Sequence, residues 1–342
     1  MKILIDGRVL AHEHTSGVQR HAQEIIKALQ DADHTIAVAI PKYKNRYYQQ
    51  IWEHTLLPFY ARKYDILYCP SNIASFYLPK RTKLIMTLHD LAFLDFPKQY
   101  SSLFQKYYAY LVPKNLSRAE HIITISDFSK KRIVREYPWT KNKISVIHHG
   151  VSSFFTPSNK KKSDYILYVG AMNEIKNFQA VIKIFLLPEF KTIPLKMILP
   201  GVSTFTQNDT VTALLSKAQK AENIEIIDQV TQEELKTYYQ KAKLFIFPSF
   251  HESFGFPPLE AMACSTPVIV SNVTALPEVC GDSAVYIDPD NIHDLSEKIH
   301  MTLKNDLLLQ KLSSMGLSHV KKFTWEKAAR EYLNILQKGT SV

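Results

Sequence analysis

The sequence predicts an α/β protein made of two doubly wound, Rossmann-like domains. Three observations carry that expectation. At 342 residues the chain exceeds the roughly 250–300 residues at which single hydrophobic cores stop growing. Short runs rich in Ile, Val, Leu and Tyr alternate with longer mixed segments, as strands alternate with helices in a parallel sheet. Midway the pattern stops at "SSFFTPSNKKKSD", whose Ser, Pro, Asn and lysine triplet read as a solvated linker, and then restarts. The boundary is expected between residues 155 and 156.

In the first half the strand runs are "KILIDG", "TIAVAI", "DILYCPS", "LIMTLHD", "HIITISD" and "ISVIHHG". In the second they are "YILYVGA", "LKMILPG", "IEIIDQV", "KLFIFPS", "TPVIVSN" and "AVYIDP". Open α/β sheets bind ligands beyond the carboxyl ends of their strands, so the residues closing each run matter most. They are polar or small: Asp6-Gly7, Ser71-Asn72, His89-Asp90, Ser126-Asp127, His149-Gly150, Gly170, Gly201, Ser249 and Ser271-Asn272. Two such edges presented to each other would line an interdomain cleft, a common place for a small-molecule site.

Composition narrows the class. With 46% hydrophobic and 22% charged residues the chain is of ordinary globular type. The opening apolar run is broken by Asp6 and Arg8, which suits a buried strand better than a signal peptide. No stretch approaches the roughly 20 apolar residues that span a bilayer. Cys69, Cys264 and Cys280 form no CxxC pair and no disulfide framework, so a reducing cytoplasmic setting is expected. The net charge of +10 is uneven: residues 1–150 hold 22 Lys+Arg against 12 Asp+Glu, and residues 151–342 hold 20 against 20. A nucleic-acid-binding protein would suit that charge, but no RRM or zinc-finger pattern accompanies it. A nicotinamide dehydrogenase would need a G-x-G-x-x-G after the first strand, which is missing.

The stretch "HESFGFPPLE" (251–260) concentrates chemistry at one strand-to-helix junction. A strand should end near Ser249, and the prolines should open a helix that carries Glu260 in its first turn, with Glu252 in the loop. Pro257 and Pro258 have no N–H, so the free amides collect before them, at Phe254, Gly255 and Phe256. Amides at a helix start suit phosphate or sugar oxygens, and a neighbouring carboxylate accepts from hydroxyls. From the residues alone, two readings stand: a sugar-nucleotide site, or a Glu260 that complements the helix dipole beside a solvated Glu252.

The extended segment "FPSFHESFGFPPLEAMACSTPVIVSNVTALPEVCGDSAVYIDP" resembles the signature of the retaining glycosyltransferases of family 4, which have the GT-B fold. The likeness continues in "SGVQRHAQEIIKAL", "TLHDLAFLDFP", "ITISDFSKK", "YILYVGAMNEIKNF" and the closing "FTWEKAAREYL". It implies an acceptor-binding domain over 1–155, a nucleotide-sugar domain over 156–324, and a helix over about 325–342 that packs back on the first.

The resemblance also implies roles. Glu260 would bind the nucleotide ribose, and Glu252 the donor sugar near C3 and C4. Ser253, with the amides of Phe254, Gly255 and Phe256, would bind sugar and diphosphate, with Gly170 nearby. Lys176 would neutralise the diphosphate and Gly17 would let it approach closely. His89 would lie near the reacting sugar, with Asp90, Ser126 and His149 as further cleft residues. The sequence departs from the pattern at Ala171 and Ile175, where relatives are often basic, and at Ser16, Ser253 and Ser265, where glycine is usual.

The chemistry implied is transfer with retention, without metal or cofactor, by front-face attack in which the leaving phosphate takes the acceptor's proton. The acidic "DAD" (31–33) and "DPD" (288–290) read as surface charge. Likeness to bacterial surface-polysaccharide enzymes, mannosyltransferases among them, suggests GDP-mannose or a UDP-sugar as donor and a glycan or lipid-linked saccharide as acceptor. A nucleotide-sugar binder without catalysis is the alternative. The segments "PKYKNRYYQQIWEHTLLPFYARK" and "PKQYSSLFQKYYAYLVPKNLSR" interleave basic and aromatic residues. They suit either contact with an anionic membrane at its inner face or ordinary helices with aromatics packed inward.

Overall fold

A computed structural model describes residues 1–11, 17–159, 161–204 and 209–338. Every apolar run named above forms a strand. The first sheet comprises β1 (Ile3–Asp6), β2 (Ala37–Ala39), β3 (Ile66–Cys69), β4 (Lys83–Thr87), β5 (His121–Thr124) and β6 (Ile144–Val146), in the order β2-β1-β3-β4-β5-β6. The second comprises β7 (Ile166–Val169), β8 (Leu195–Ile198), β9 (Ile224–Ile227), β10 (Leu244–Phe247), β11 (Val268–Ser271) and β12 (Val285–Ile287), in the order β12-β11-β10-β7-β8-β9. All pairings are parallel.

The unbroken apolar runs explain the parallel arrangement. Ile3–Ile5, Ile66–Cys69 and Leu244–Phe247 are buried throughout, as strands covered by helices on both faces must be. In the first core Leu67, Met86 and Ile122 of the sheet pack with Trp52, Leu57 and Leu116 from helices. In the second, Tyr168, Met197 and Ile246 pack with Phe178, Val181 and Phe185.

The chain divides into Met1–Gly150 with Phe323–Val342, and Val151–Lys322. The first unit thus ends five residues before the boundary read from the linker. The reason lies in Phe155, which is buried 5.8 Å (ring centroids) from Tyr239, while the Thr156 carbonyl accepts from Gln240. Half of the polar stretch is therefore packed on the second unit. The helix Trp325–Lys338 lies in the first unit against the helix Gly17–Ala32, burying Trp325, Ala328, Ala329, Tyr332 and Leu336 at helical spacing. Gly150 is fitted against its start: a Cβ there would lie 2.3 Å from the Trp325 nitrogen.

Candidate functional site

The second sheet reverses its strand order between β7 and β10, so the loops after these strands diverge and leave a crevice at their carboxyl ends. Those two loops carry the "GAMNEIK" and "HESFGFPPLE" motifs. They are laced together: Phe250 N–H donates to the Ile175 carbonyl (2.8 Å), as does the Ser249 hydroxyl (3.0 Å). Lys176 Nζ meets Glu252 Oε1 at 2.5 Å, joining residues 76 positions apart. The Tyr168 hydroxyl donates to the Lys176 carbonyl (2.9 Å), and burial, with the Glu252 charge adding to it, pushes the Tyr168 phenol well up. That phenol stays protonated and holds the lysine loop.

Local backbone chemistry shapes the junction. Asn177 takes the left-handed conformation (φ 54°) and its side-chain amide donates to the Pro289 carbonyl, ending the Lys176 loop where the helix Phe178–Phe185 begins. Gly255 has φ 107°, and a Cβ there would come within 2.8 Å of Leu276. Only glycine suits that turn. It leads into the helix Phe256–Ala263, in which Glu260 is the fifth residue. The first-turn placement read from the sequence is therefore corrected: Pro257 and Pro258 occupy the first turn behind Phe256, and Glu260 falls in the second. Being 2% exposed, Glu260 is no surface complement to the dipole. The Glu252 side chain is 11% exposed, its N–H donating to Thr274 and its carbonyl accepting from Ala275. Gly170 follows β7, its Cα facing the Tyr168 hydroxyl, and Ala171 and Met172 open the same loop. Ser253 and Phe254 lie in the loop after β10, and Phe256 opens the helix that follows. The loops after β7 and β10 thus carry Gly170, Lys176, Glu252, Ser253, Phe254 and Gly255, with Glu260 buried in the helix Phe256–Ala263.

In the first unit, His89 follows β4 and is buried. Its N–H donates to Asn72 Oδ1 (2.9 Å) and its Nε2 to the Pro70 carbonyl (3.1 Å), so Nδ1 is the acceptor nitrogen. His149, after β6, lies 5.7 Å from His89 between ring centroids. The residue the sequence reading missed is His21. Its Nδ1 is 3.0 Å from His149 Nδ1, and its ring is 4.7 Å from that of His89. Burial pushes all three imidazoles down, His21 and His149 furthest, and for those two the neighbouring rings repel a proton as well. The signal was available: His21 shares a helical face with Ile25 and Leu29, and a buried histidine needs a partner.

Asp90 and Ser126 serve their own backbones. The Asp90 carboxylate accepts from Ala92 N–H, and the Ser126 hydroxyl caps the helix Asp127–Glu136 by accepting from Ser129 N–H. Gly17 opens the helix that carries His21, and among the described residues nothing lies within 4 Å of where its Cβ would be. Ser16 lies outside the described residues. Among the described residues no group of three or more His, Cys, Asp or Glu side chains is arranged to hold a metal ion.

Comparison with known proteins agrees with this layout. Residues 15–153 match the family profile "Glycosyltransferase Family 4" and residues 152–318 match "Glycosyl transferases group 1". An O-antigen chain mannosyltransferase B from Escherichia coli is 30% identical over 284 residues, which are 79% of this chain and 74% of that one. Among solved structures, sucrose-phosphate synthase from Thermosynechococcus elongatus superposes with a TM-score of 0.76 at 18% identity, covering 98% of each chain. Anabaena Alr3699/HepE in complex with UDP superposes at 0.73 with 14% identity, covering 99% of this chain and 100% of that one. Successive profiles over both units, a relative alike along most of its length, and matching paired parallel sheets make the chain a family 4 glycosyltransferase of GT-B fold.

Proposed function

We propose that this glycosyltransferase moves a hexose from a nucleoside diphosphate sugar to a saccharide acceptor of a bacterial surface polysaccharide, free or lipid-linked, with retention and without a metal. The observation that carries the donor site is the Lys176–Glu252 pair at the strand-order reversal of the second sheet. A cation suited to a diphosphate and a carboxylate suited to sugar hydroxyls stand side by side there, with Glu260 in the helix that follows the Glu252 loop for the ribose. Mannose from GDP-mannose is the first choice of donor, supported by the mannosyltransferase relative; a UDP-sugar is the second, supported by the UDP-bound structural neighbour.

In the reaction the bond from the anomeric carbon to the diphosphate breaks while the acceptor oxygen attacks from the same face, its proton passing to the departing phosphate. Lys176 and the amides of Phe254, Gly255 and Phe256 stabilise the charge that develops on the diphosphate. His89, held neutral by burial and oriented by Pro70 and Asn72, accepts a hydrogen bond from the reacting sugar through Nδ1. A thermal-shift screen of nucleotides and nucleotide sugars, followed by transfer assays with the best donor, tests the reading. Stabilisation by GDP or UDP with sugar turnover supports it, and stabilisation without turnover reduces the protein to a binder. Full turnover in excess EDTA is expected; loss restored by Mg²⁺ or Mn²⁺ would refute metal independence. Trapping of a glycosylated side chain during turnover would sink front-face attack.

We propose further that the first unit rests on an anionic membrane surface. Some aromatics of its basic segments pack inward, Tyr48, Phe104, Tyr107 and Tyr108 among them. Other apolar side chains stay outside: the aromatic Tyr47 is 76% and Phe59 56% exposed and the aliphatic Ile51 63%, with the Arg62 guanidinium 5.4 Å over the Phe59 ring. Apolar groups interleaved with cations suit an anionic headgroup layer. Among the described residues no helix is long and apolar enough to cross a membrane. Co-flotation with anionic but not neutral liposomes, weakened by salt, is expected; failure to float at low salt counts against it.

A further inference from the structure

A chain of five buried polar side chains runs through the first unit from Tyr68 to His149. The hydroxyls of Tyr68 in β3 and Thr87 in β4 meet at 2.9 Å. Thr87 lies 3.2 Å from the Tyr332 hydroxyl, which is 3.5 Å from His21 Nε2, and His21 Nδ1 is 3.0 Å from His149 Nδ1. The links join two strands, two helices and the loop after β6, so no single element accounts for them.

Counting protons fixes the direction of the chain. Burial pushes both imidazoles well down, so each is neutral with one proton, as each hydroxyl has one. Among the described residues the Tyr68 hydroxyl bonds only Thr87, the Thr87 hydroxyl only Tyr68 and Tyr332, and the Tyr332 hydroxyl only Thr87 and His21. The Tyr68 proton therefore goes to Thr87, the Thr87 proton to Tyr332, and the Tyr332 proton to His21 Nε2. His21 is then protonated on Nδ1 and donates to His149 Nδ1, which puts the His149 proton on Nε2. Any other arrangement strands a buried hydroxyl proton without an acceptor, at the full cost of its desolvation.

The tautomer matters at the carboxyl edge of the sheet. His89 donates through Nε2 to the Pro70 carbonyl and keeps Nδ1 as an acceptor. His149, 5.7 Å away between ring centroids, is its complement once Nε2 carries the proton. His21 packs against both, edge-on to His89 at 4.7 Å and tilted over His149 at 4.4 Å. Reversing the chain would make His149 Nε2 a second acceptor and leave the pair without a ring donor.

We propose that His21 and Tyr332 are positioning residues for sugar transfer: they hold His149 as an Nε2–H donor beside the Nδ1 acceptor of His89, so that the reacting sugar meets one of each. Tyr332, from the far end of the sequence, is the last hydroxyl of the chain and the one that sets the His21 tautomer. The inference rests on the glycosyltransferase reading, in which His89 meets the reacting sugar, and adds what orients its neighbour.

The 15N shifts of the ring nitrogens in the full chain, assigned with His21→Asn and His149→Asn, read the tautomers without any turnover. His21 should be protonated on Nδ1 and His149 on Nε2; the converse pattern, or averaging over both, overturns the proposal. Tyr332→Phe keeps the ring and removes the last donor, so both histidines should then populate two tautomers. In transfer assays with the donor found by thermal shift, its kcat should fall about tenfold, the worth of one hydrogen bond, with donor and acceptor KM within about twofold of the wild type. His21→Asn, whose amide still donates to His149, should keep more kcat than His21→Leu. A Tyr332→Phe protein that loses thermal stability at wild-type kcat, or equal kcat in the two His21 variants, overturns the positioning role. If no sugar nucleotide turns over in the wild type, the transfer reading fails on its own, and the tautomers then sustain or overturn the hydrogen-bond chain.

Discussion

At Glu252 and Glu260 the chain puts two carboxylates eight positions apart to different uses. Glu252 faces Lys176 from a loop, whereas Glu260 is buried in the second turn of a helix. Glu252→Ala is expected to lower kcat by about 10–100-fold, the worth of charge-assisted hydrogen bonds to the sugar, with nucleotide affinity little changed. Glu260→Ala should instead weaken nucleotide binding by a similar factor, read as a reduced GDP- or UDP-induced thermal shift. Equal losses of thermal stability alone in both would return the stretch to a structural role. The histidine trio makes a second residue-scale prediction. His21 and His149 are held below their ordinary value of 6.5 chiefly by burial, with His149 and His89 repelling a proton on His21, and His89, His148 and Arg20 repelling one on His149. The unfolded chain therefore binds more protons than the folded one as pH falls below about 6.5. The stability these groups allow is whole above that pH and is lost progressively beneath it. Urea midpoints between pH 7 and 5 should fall in the wild type and fall less in His149→Asn. An identical slope in the two would show that other groups govern acid stability.

The loops after β7 and β10 and the helix Phe256–Ala263 work as one unit at the scale of elements. Each loop alone is short and polar, and neither buries enough apolar surface to hold a shape. Their mutual hydrogen bonds through Ile175 supply what each lacks. The hinge of that unit is Gly255. Gly255→Ala would place a methyl against Leu276 in a left-handed backbone and is expected to cost about 1–3 kcal/mol while shifting the amides proposed to bind the donor. Chemical denaturation measures the first effect, and a rise in donor KM greater than the stability loss explains measures the second. A Gly255→Ala protein with wild-type midpoint and KM would mean that the loop relaxes freely.

Across the whole molecule, the second unit is one continuous segment whereas the first draws on both ends of the chain. The first sheet ends at Val146, yet its core is completed by a helix beginning at Trp325. Tyr332 links it inward: its hydroxyl is 3.2 Å from Thr87, which bonds Tyr68 at 2.9 Å, and 3.5 Å from His21. Deleting residues 323–342 should therefore unfold the first unit before the second, seen as hydrogen exchange rising across β1–β6 while β7–β12 stay protected. Uniform protection after the deletion would show the helix to be an accessory. The parallel sheets were legible in the sequence because a strand buried on both faces must be apolar along its length, and "KILIDG" or "KLFIFPS" can be little else. The crevice of the second sheet was legible in part, since strand ends followed by glycine and polar residues mark the carboxyl edge wherever the strand lies in the sheet. Strand order was not legible, because it depends on which non-adjacent runs pair, and only that order makes β7 and β10 neighbours and brings Lys176 to Glu252. Glu260 was placed one turn too early because two prolines at a helix start shift its register without altering its composition. His21 escaped notice because it reads as an ordinary helix residue until packing shows that it faces His89 and His149. The sequence by itself determined twelve strands, two parallel sheets and the family; tertiary structure alone decided which side chains meet, because side-chain contacts follow strand order and helix docking, which local periodicity does not encode.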